Sequence, residues 1–216
     1  MTTLLRTPQL PRPSGDLTVA TVAVGAPAAG LAALGSEVLE RQPIAHEQAA
    51  MWWLHVHTSP LLLQVSEFLN FFGGPKVMLP VILLLPLLLW FRQQRSQALF
   101  ALGALGGSAA LQGSLKMAFG RPRPDLWNYH VHTSGLSFPS GHATTATALA
   151  LVVGVLVWRT PYRWVAVVAG LLYALAVALS RVVLGVHYPT DVLAGALTAT
   201  LSVVTVFLLT RPLGVK

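Results

Sequence analysis

Six long apolar stretches restrict what this chain can fold into. A helix needs about 20 largely apolar residues to cross the hydrocarbon core of a bilayer. Only 10% of the 216 residues are charged and the mean hydropathy is +0.65, whereas soluble domains are roughly a quarter charged. The sequence therefore predicts an all-α integral membrane protein, a six-helix transmembrane bundle that forms a single domain over residues 1–216. The predicted spans are residues 17–36, 75–91, 96–119, 142–158, 164–181 and 190–210.

The N-terminal third is less uniform than the other spans. The first stretch is rich in Ala and Gly and follows Arg6 and Arg12, so a cleaved signal peptide is an alternative to a retained span. Between the first two spans, residues 44–72 carry an apolar helical face opposite a polar one. This pattern predicts an interfacial helical segment with Trp52 and Trp53 at headgroup depth. A short buried helix packed on the bundle is an equal alternative.

Composition also excludes several classes of function. No cysteine is present, so the chain has neither a disulfide framework nor a thiolate metal site. The net charge of +7 would suit nucleic acid, but the arginines stand singly between apolar runs instead of forming a basic face. We therefore expect the lipid bilayer as a partner and no nucleic acid. The sequence makes no prediction of oligomeric state.

Positive charges predict the orientation of the spans. Arg or Lys residues occupy the N-terminal segment, the 92–95 turn, the 159–163 turn and the C-terminal tail, and connections rich in these residues stay in the cytoplasm. We expect a multi-pass protein of the cell inner (plasma) membrane with both termini in the cytoplasm. The opposite, periplasmic or extracellular face then receives three polar clusters, at residues 116–124, 139–142 and 180–191.

Three cations in these clusters have the chemistry of a phosphate site. Arg123 and Arg181 carry planar guanidinium groups that match phosphate oxygens, and Lys116 adds a third positive charge. Each cation alone is more typical of a side chain that reaches the headgroups from a helix end. Their combination on one face of the membrane favours a phosphoryl-binding site.

The clusters also contain a helix start and a pair of histidines. Ser140 and Gly141 precede an apolar run, and helix N-termini bind anions, although an ordinary turn and cap would explain both residues. That simple explanation does not account for His142. His187 and Asp191 are four residues apart at another helix start, where a carboxylate on one ring nitrogen leaves the other as a nucleophile. A structural His–Asp hydrogen bond is the alternative interpretation of this last pair.

These residues form three ordered motifs. They are Lys116-x6-Arg123-Pro124, Pro139-Ser140-Gly141-His142 and Ser180-Arg181-x5-His187-x3-Asp191. Together they resemble the three-part signature of the type 2 phosphatidic acid phosphatase superfamily, which includes membrane lipid phosphatases, soluble bacterial acid phosphatases and vanadium haloperoxidases. The six-span pattern is similar to the integral-membrane branch. Arg121 duplicates the Arg-Pro pair without the matching spacing, so it is interpreted as a headgroup or loop contact.

The resemblance implies hydrolysis of a lipid phosphate through a phosphohistidine, with no metal or other cofactor. His187 would attack phosphorus, Asp191 would orient it, and His142 would protonate the leaving group. The phosphate oxygens would be bound by Lys116, Arg123, Ser140, Gly141 and Arg181. Because one histidine must be neutral and the other charged, a bell-shaped pH profile is predicted.

The motifs contact only the phosphate, so they leave the substrate lipid open. The compact chain with short loops favours undecaprenyl pyrophosphate, ahead of phosphatidylglycerophosphate or phosphatidic acid.

Two other functions compete with this one. One is a zinc hydrolase that uses His142, His187 and Asp191 with His130 and His132, although carboxylates are few. The other is a non-catalytic lipid-phosphate binding or transport protein. Outside that zinc alternative, His55, His57, His130 and His132 are expected as interfacial or loop residues. Trp127, Asn128 and Tyr129 either shape the substrate entrance or anchor the loop.

Overall fold

The computed structural model describes residues 14–40, 44–128, 131 and 133–210. Over these residues the chain forms eight α-helices and no β-strand, which confirms the all-α prediction. The helices are α1 (Ser14–Leu39), α2 (Ala45–His57), α3 (Pro60–Phe72), α4 (Pro75–Phe91), α5 (Arg95–Phe119), α6 (Gly141–Leu156), α7 (Arg163–Val183) and α8 (Pro189–Thr210). Each of the six predicted spans coincides with one helix to within about three residues at either end.

Length and composition qualify most of these helices as membrane spans. Four of the described helices, namely α1, α5, α7 and α8, are long and apolar enough to cross a bilayer. Together α3 and α4 pass the same test as a fifth candidate that bends by 40° at the Gly73-Gly74 break. The remaining apolar helix, α6, has 16 residues. Large side chains such as Leu83 of α4 and Leu171 of α7 are exposed on the outside of the bundle, where lipid would cover them.

The segment between the first two spans is divided between two helices. Trp52 and Trp53 lie on α2 with exposed rings, a placement that suits aromatic side chains at headgroup depth. In contrast, α3 packs against α7 and leads through the break into α4. Residues 60–72 therefore belong to a bent helix pair that contacts α7, whereas the interfacial prediction covered all of residues 44–72 and its alternative was a helix packed on the bundle.

The helix α6 lies between α5, α7 and α8. Where α5, α6 and α8 meet, the core consists largely of small side chains, including Ala101, Ala104, Ala148 and Ala199. Small residues let helix backbones approach closely, which is how helices associate in a bilayer. The helix α1 packs along α8 and buries Leu31 against it. This packing brings together the C-terminal ends of α5 and α7 and the N-terminal ends of α6 and α8.

Two glycines shape the connections at that end of the bundle. Gly120 has a φ of 59° and its N–H donates to Lys116 O at 3.0 Å, which ends α5. Gly185, with a φ of 76°, turns the chain between α7 and α8. A Cβ atom at Gly185 would lie 2.6 Å from Cζ2 of Trp127, so only glycine fits this turn beneath the indole ring. The short connection after it carries His187.

Candidate active site

His187 occupies the buried connection just before α8. Its Nε2 lies 3.0 Å from Arg123 Nη1, and its Nδ1 lies 3.3 Å from Asp191 Oδ2. A guanidinium can only donate hydrogen bonds, so Nε2 must carry the lone pair and Nδ1 the proton. The imidazole is therefore held in the tautomer that directs its lone pair toward the cation.

Both oxygens of the Asp191 carboxylate are occupied. Oδ2 accepts hydrogen bonds from the Ser137 hydroxyl and from the Tyr188 N–H, the latter at 2.9 Å. Oδ1 accepts from Arg121 Nη1 at 2.7 Å. Because Asp191 is completely buried, these donors replace the water that would otherwise solvate the charge. They also fix the orientation of the group that binds His187.

The three predicted cations converge on this imidazole. Lys116 at the end of α5 donates to the carbonyl oxygen of Leu136. Arg123 donates to the carbonyl oxygens of Gly135, Ser134 and Val186 at 3.1, 3.1 and 2.9 Å. Carbonyl oxygens, which carry no net charge, therefore position both cations.

The third cation, Arg181, is buried at the end of α7. Its Nη1 donates to the side-chain oxygen of Asn70, while its Nε has no partner. Across residues 14–40, 44–128, 131 and 133–210, the buried side-chain atoms without a hydrogen-bond partner are Arg181 Nε and Ser140 Oγ. Leaving a buried donor unpaired costs about 1–3 kcal/mol. Both atoms belong to residues predicted to bind phosphate.

The start of α6 contributes the second histidine. Ser140 occupies the N-cap position as predicted, but its hydroxyl makes no capping hydrogen bond. Its own N–H donates to the Asp191 carbonyl oxygen at 2.9 Å, which joins the starts of α6 and α8. One residue into the helix from Gly141, His142 Nε2 lies 3.1 Å from the Asn70 carbonyl oxygen. A carbonyl only accepts, so this ring nitrogen carries a proton.

Burial controls the charge of His187. Removal from water lowers its pKa to about 4, and the nearby charges of Arg123 and Arg181 act in the same direction, whereas Asp191 opposes them. His187 is therefore neutral at pH 7. This is the protonation state that a nitrogen nucleophile requires.

Five contacts near the site were not predicted. Ser137 donates to Asp191, and Asn70 accepts from both Arg181 and His142. The prediction that Arg121 is a headgroup or loop contact is wrong: its side chain is 11% exposed and forms ion pairs with Asp191 and Glu47 at 2.7 and 2.8 Å. The duplicated Arg-Pro pair was the one sequence signal that could have indicated a role for Arg121 in the site.

The remaining candidate residues lie apart from the imidazole. His55 stacks on Trp127 with ring centroids 4.1 Å apart, and His57 stacks on Trp53. With its indole ring also against Gly185, Trp127 anchors the loop, as one of the two interpretations expected. Within the part of the chain that the structure describes, no group of three or more His, Cys, Asp or Glu side chains is arranged to hold a metal ion. Tyr129, His130 and His132 lie outside the described residues.

Two adjoining cavities connect this polar centre to apolar helix faces. One, of about 560 Å³, lies beside Asn70, Lys76 and Arg181. The other, of about 340 Å³, reaches His187 and continues along Met78 and the neighbouring apolar residues of α4. Arg123, Ser134 and His142 line both cavities. The arrangement accommodates an anionic group joined to an apolar chain.

Comparison with known proteins assigns the chain to a family. Residues 97–213, more than half of the chain, match the model of the PAP2 superfamily. The chain belongs to the PAP2 superfamily. It is 34% identical over 142 residues to phosphatidylglycerophosphatase B of Bacillus subtilis, an alignment that covers 63% of this chain and 69% of the relative.

Two further comparisons extend the PAP2 relationship. Decaprenylphosphoryl-5-phosphoribose phosphatase of Mycobacterium tuberculosis is 34% identical over 149 residues, which cover 67% of this chain and 79% of the relative. The crystal structure of a transmembrane PAP2-type phosphatidylglycerolphosphate phosphatase from Bacillus subtilis superposes with a TM-score of 0.76 at 25% identity, covering 89% of this chain and 96% of that one. The chain is therefore a multi-pass membrane lipid phosphatase of the PAP2 superfamily.

The lowered pKa of His187 predicts how this residue titrates. In detergent-solubilised protein labelled with ¹⁵N-histidine, the His187 ring signals should remain those of the neutral Nδ1–H tautomer from pH 7 down to about pH 5, with a midpoint near 4. An unperturbed imidazole would be half protonated near pH 6.5. Assignment uses a His187→Gln sample. A midpoint near 6.5 would contradict the burial and charge environment described for His187.

Proposed function

We propose that this protein is a metal-independent phosphatase that hydrolyses the phosphate or pyrophosphate of a membrane lipid through a phosphohistidine at His187. One observation carries the proposal. The lone pair of His187 Nε2 faces Arg123, in a site whose other cations include Arg181 with an unpaired Nε. A nucleophile directed into a group of phosphate-binding donors is the arrangement that phosphoryl transfer requires.

The first step transfers the phosphoryl group to the protein. His187 Nε2 forms a bond to phosphorus while the bond from phosphorus to the lipid oxygen breaks, and the bonding electrons leave with that oxygen. Asp191 stabilises the positive charge that develops on the ring, because Nδ1–H already points at its carboxylate. His142, which lines both cavities, donates the proton that the departing lipid oxygen takes up.

Fixed donors stabilise the charge that spreads over the phosphoryl oxygens during this step. Lys116, Arg123 and Arg181 supply positive charge, while the Ser140 hydroxyl and the Gly141 N–H supply neutral donors at the start of α6. Such donors need no reorganisation when the transition state forms, and their effect is large in a site that excludes water.

The second step returns the protein to its starting state. His142, now neutral, takes a proton from a water molecule whose oxygen attacks phosphorus. The bond between phosphorus and Nε2 then breaks, the electron pair returns to the His187 ring, and inorganic phosphate leaves. His142 thus gives up one proton in the first step and regains one from water in the second, so the cycle needs no external acid.

We propose undecaprenyl pyrophosphate as the first candidate substrate. Lys76 stands at the start of α4 on the wall of the larger cavity, beside Asn70 and Arg181, where it can bind a second phosphate. The apolar wall that begins at Met78 suits a prenyl chain, and one relative is named for a decaprenyl-linked lipid. The glycerophospholipid relative and solved structure favour phosphatidylglycerophosphate as the second candidate, with phosphatidic acid third.

The charge distribution supports a site on the periplasmic or extracellular side. Arg92, Arg95, Arg159 and Arg163 lie at the end of the bundle where α4 and α6 stop and α5 and α7 start. The candidate site lies at the opposite end. Since connections rich in arginine stay in the cytoplasm, this charge distribution also supports a cytoplasmic position for both termini.

Replacement of the proposed nucleophile gives the most direct activity test. His187→Ala should reduce phosphate release from purified protein by about 10⁴-fold or more, because the remaining donors bind phosphate but have no group to accept it. His57→Ala, which changes an exposed histidine on α2, is the matched control. Release should also persist in excess chelator and be inhibited by vanadate. Loss of release in chelator would support the zinc hydrolase, and lipid binding without release by the unaltered protein would support a non-catalytic binder.

Lys76 provides a test of the substrate proposal. Lys76→Ala should reduce kcat/KM for undecaprenyl pyrophosphate about tenfold or more, since a hydrogen bond between charged groups contributes about 1.5–3 kcal/mol. It should change kcat/KM for phosphatidic acid, which has a single phosphate, less than twofold. The measurement compares both lipids and phosphatidylglycerophosphate in one detergent, with Lys76→Arg as the charge-preserving control. Equal loss on the two lipids, or a higher kcat/KM of the unaltered protein for phosphatidylglycerophosphate, would reject this preference.

A further inference from the structure

Glu47 lies far from the three motifs in sequence but close to them in space. It belongs to the first turn of α2 and is 5% exposed. Its Oε1 accepts the Thr190 N–H at 2.7 Å, and its Oε2 accepts from Arg121 Nη2 at 2.8 Å. A buried carboxylate is costly unless it is paired and hydrogen-bonded, and both of its oxygens satisfy that condition.

Arg121 connects this carboxylate to the candidate site. Through Nη1 it donates to Asp191 Oδ1 at 2.7 Å and to the Thr190 hydroxyl at 2.8 Å, and its guanidinium carbon lies 4.0 Å from the centre of the Tyr188 ring. Burial alone would lower the pKa of Arg121, but Asp191 and Glu47 raise it above its ordinary value. Arg121 is therefore a permanent cation between two anions.

The contacts form one continuous chain of charges. Glu47 is paired with Arg121, Arg121 with Asp191, and Asp191 with His187, the last across 3.3 Å. Each carboxylate uses one oxygen for Arg121 and the other for a group at the start of α8. The guanidinium of Arg121, a residue just after α5, thus links α2 to the start of α8.

We propose that Glu47 and Arg121 are positioning residues of the phosphatase, which orient Asp191 and balance the charge that the His187 ring experiences. The inference rests on the proposed function of His187 as the nucleophile. It extends the working site to α2, which precedes the 97–213 region that defines the family. Neither residue touches the lipid phosphate in this account, since neither lines the cavities beside His187.

The charges around His187 set the direction of the expected effects. Arg123 faces it from the 120–140 segment, Arg181 from α7, His142 from α6 and Asp191 from α8. Lys116 of α5 lines the same cavity as His187 and interacts with Asp191. Among the described groups that face the ring, Asp191 carries the negative charge, and Arg121 neutralises part of it.

Neutralising Glu47 and neutralising Arg121 should therefore shift the titration of His187 in opposite directions. Neutralising Glu47 leaves the Arg121 charge uncompensated, which disfavours a proton on His187 and makes the ring a weaker nucleophile. Neutralising Arg121 leaves the Asp191 charge uncompensated, which favours a proton on His187 and frees one carboxylate oxygen to move. Either change slows catalysis, but the two shift the titration of His187 oppositely. A role in folding alone would produce no such opposition.

The experiment compares Glu47→Gln, Arg121→Gln and the double variant, with Glu37→Gln on the exposed face of α1 as the matched control. We expect each single variant to lower kcat about tenfold to a hundredfold, as loss of an orienting partner does elsewhere, while KM changes less than about threefold. The acid limb of the kcat/KM profile should move to lower pH in Glu47→Gln and to higher pH in Arg121→Gln. Because Glu47 acts through Arg121, the double variant should be little slower than Arg121→Gln.

Several results would overturn the proposal. These are unchanged pH profiles, shifts in the same direction, or a double variant whose loss is the product of the single losses. Arg121→Lys keeps the charge without the fork, so it should restore the pH profile but only part of kcat. Thermal unfolding in detergent identifies a variant that fails to fold, in which case Glu47→Asp and Arg121→Lys provide the comparison.

Experiments on His187 distinguish a failure of this proposal from a failure of the proposed function. If the unaltered protein releases no phosphate, or if His187→Ala still does, the proposed function fails. The charge chain is then decided by ¹⁵N-histidine titration of His187, which requires no turnover. Opposite shifts in Glu47→Gln and Arg121→Gln would support the charge chain, and coincident titrations would reject it.

Discussion

The structure of the site depends on the electrostatic problem of holding three cations beside one buried neutral imidazole. Lys116, Arg123 and Arg181 repel one another, and in a region of low dielectric this repulsion is stronger than in water. Carbonyl and amide oxygens accept hydrogen bonds from these cations and orient them. A phosphate group, with its several anionic oxygens, complements this arrangement and links the proposed chemistry to the packing. Burial, together with the charges of Arg123 and Arg181, keeps His187 neutral.

The fold solves this problem at one end of a helical bundle. Small residues such as Ala104 and Ala148 let the backbones of α5, α6 and α8 approach closely, which brings together the helix ends that carry the cations and histidines. Short connections then position the side chains of the site more precisely. Gly185 leaves room for the Trp127 ring against the turn before His187, and the Ser140 N–H joins the start of α6 to the Asp191 carbonyl oxygen. The apolar bodies of the helices thus act as the rigid support for a small polar centre.

The apolar runs predicted the helices well because bilayer thickness imposes a length on each span, and the motif spacing selected residues that the fold brings together. Contacts without local pattern were not predictable. Glu47 is 74 residues from Arg121, and Asn70 is 72 residues from His142, so no periodicity relates them. Arg121 was misinterpreted because its neighbour Arg123 has the motif spacing. The bend at Gly73 was not predicted, because an amphipathic pattern shows which residues share a face of a helix but not where the helix axis changes direction.

The central claim is that His187 carries the phosphoryl group during turnover, and direct capture of that intermediate tests it. Purified protein would be mixed with lipid labelled with ³²P in its terminal phosphate, quenched in alkali within milliseconds, digested and mapped by mass spectrometry. We predict a phosphoryl group on Nε2 of His187 and none on the protein in a His187→Gln variant. Turnover without any label on the protein, or a label on another side chain, would contradict it.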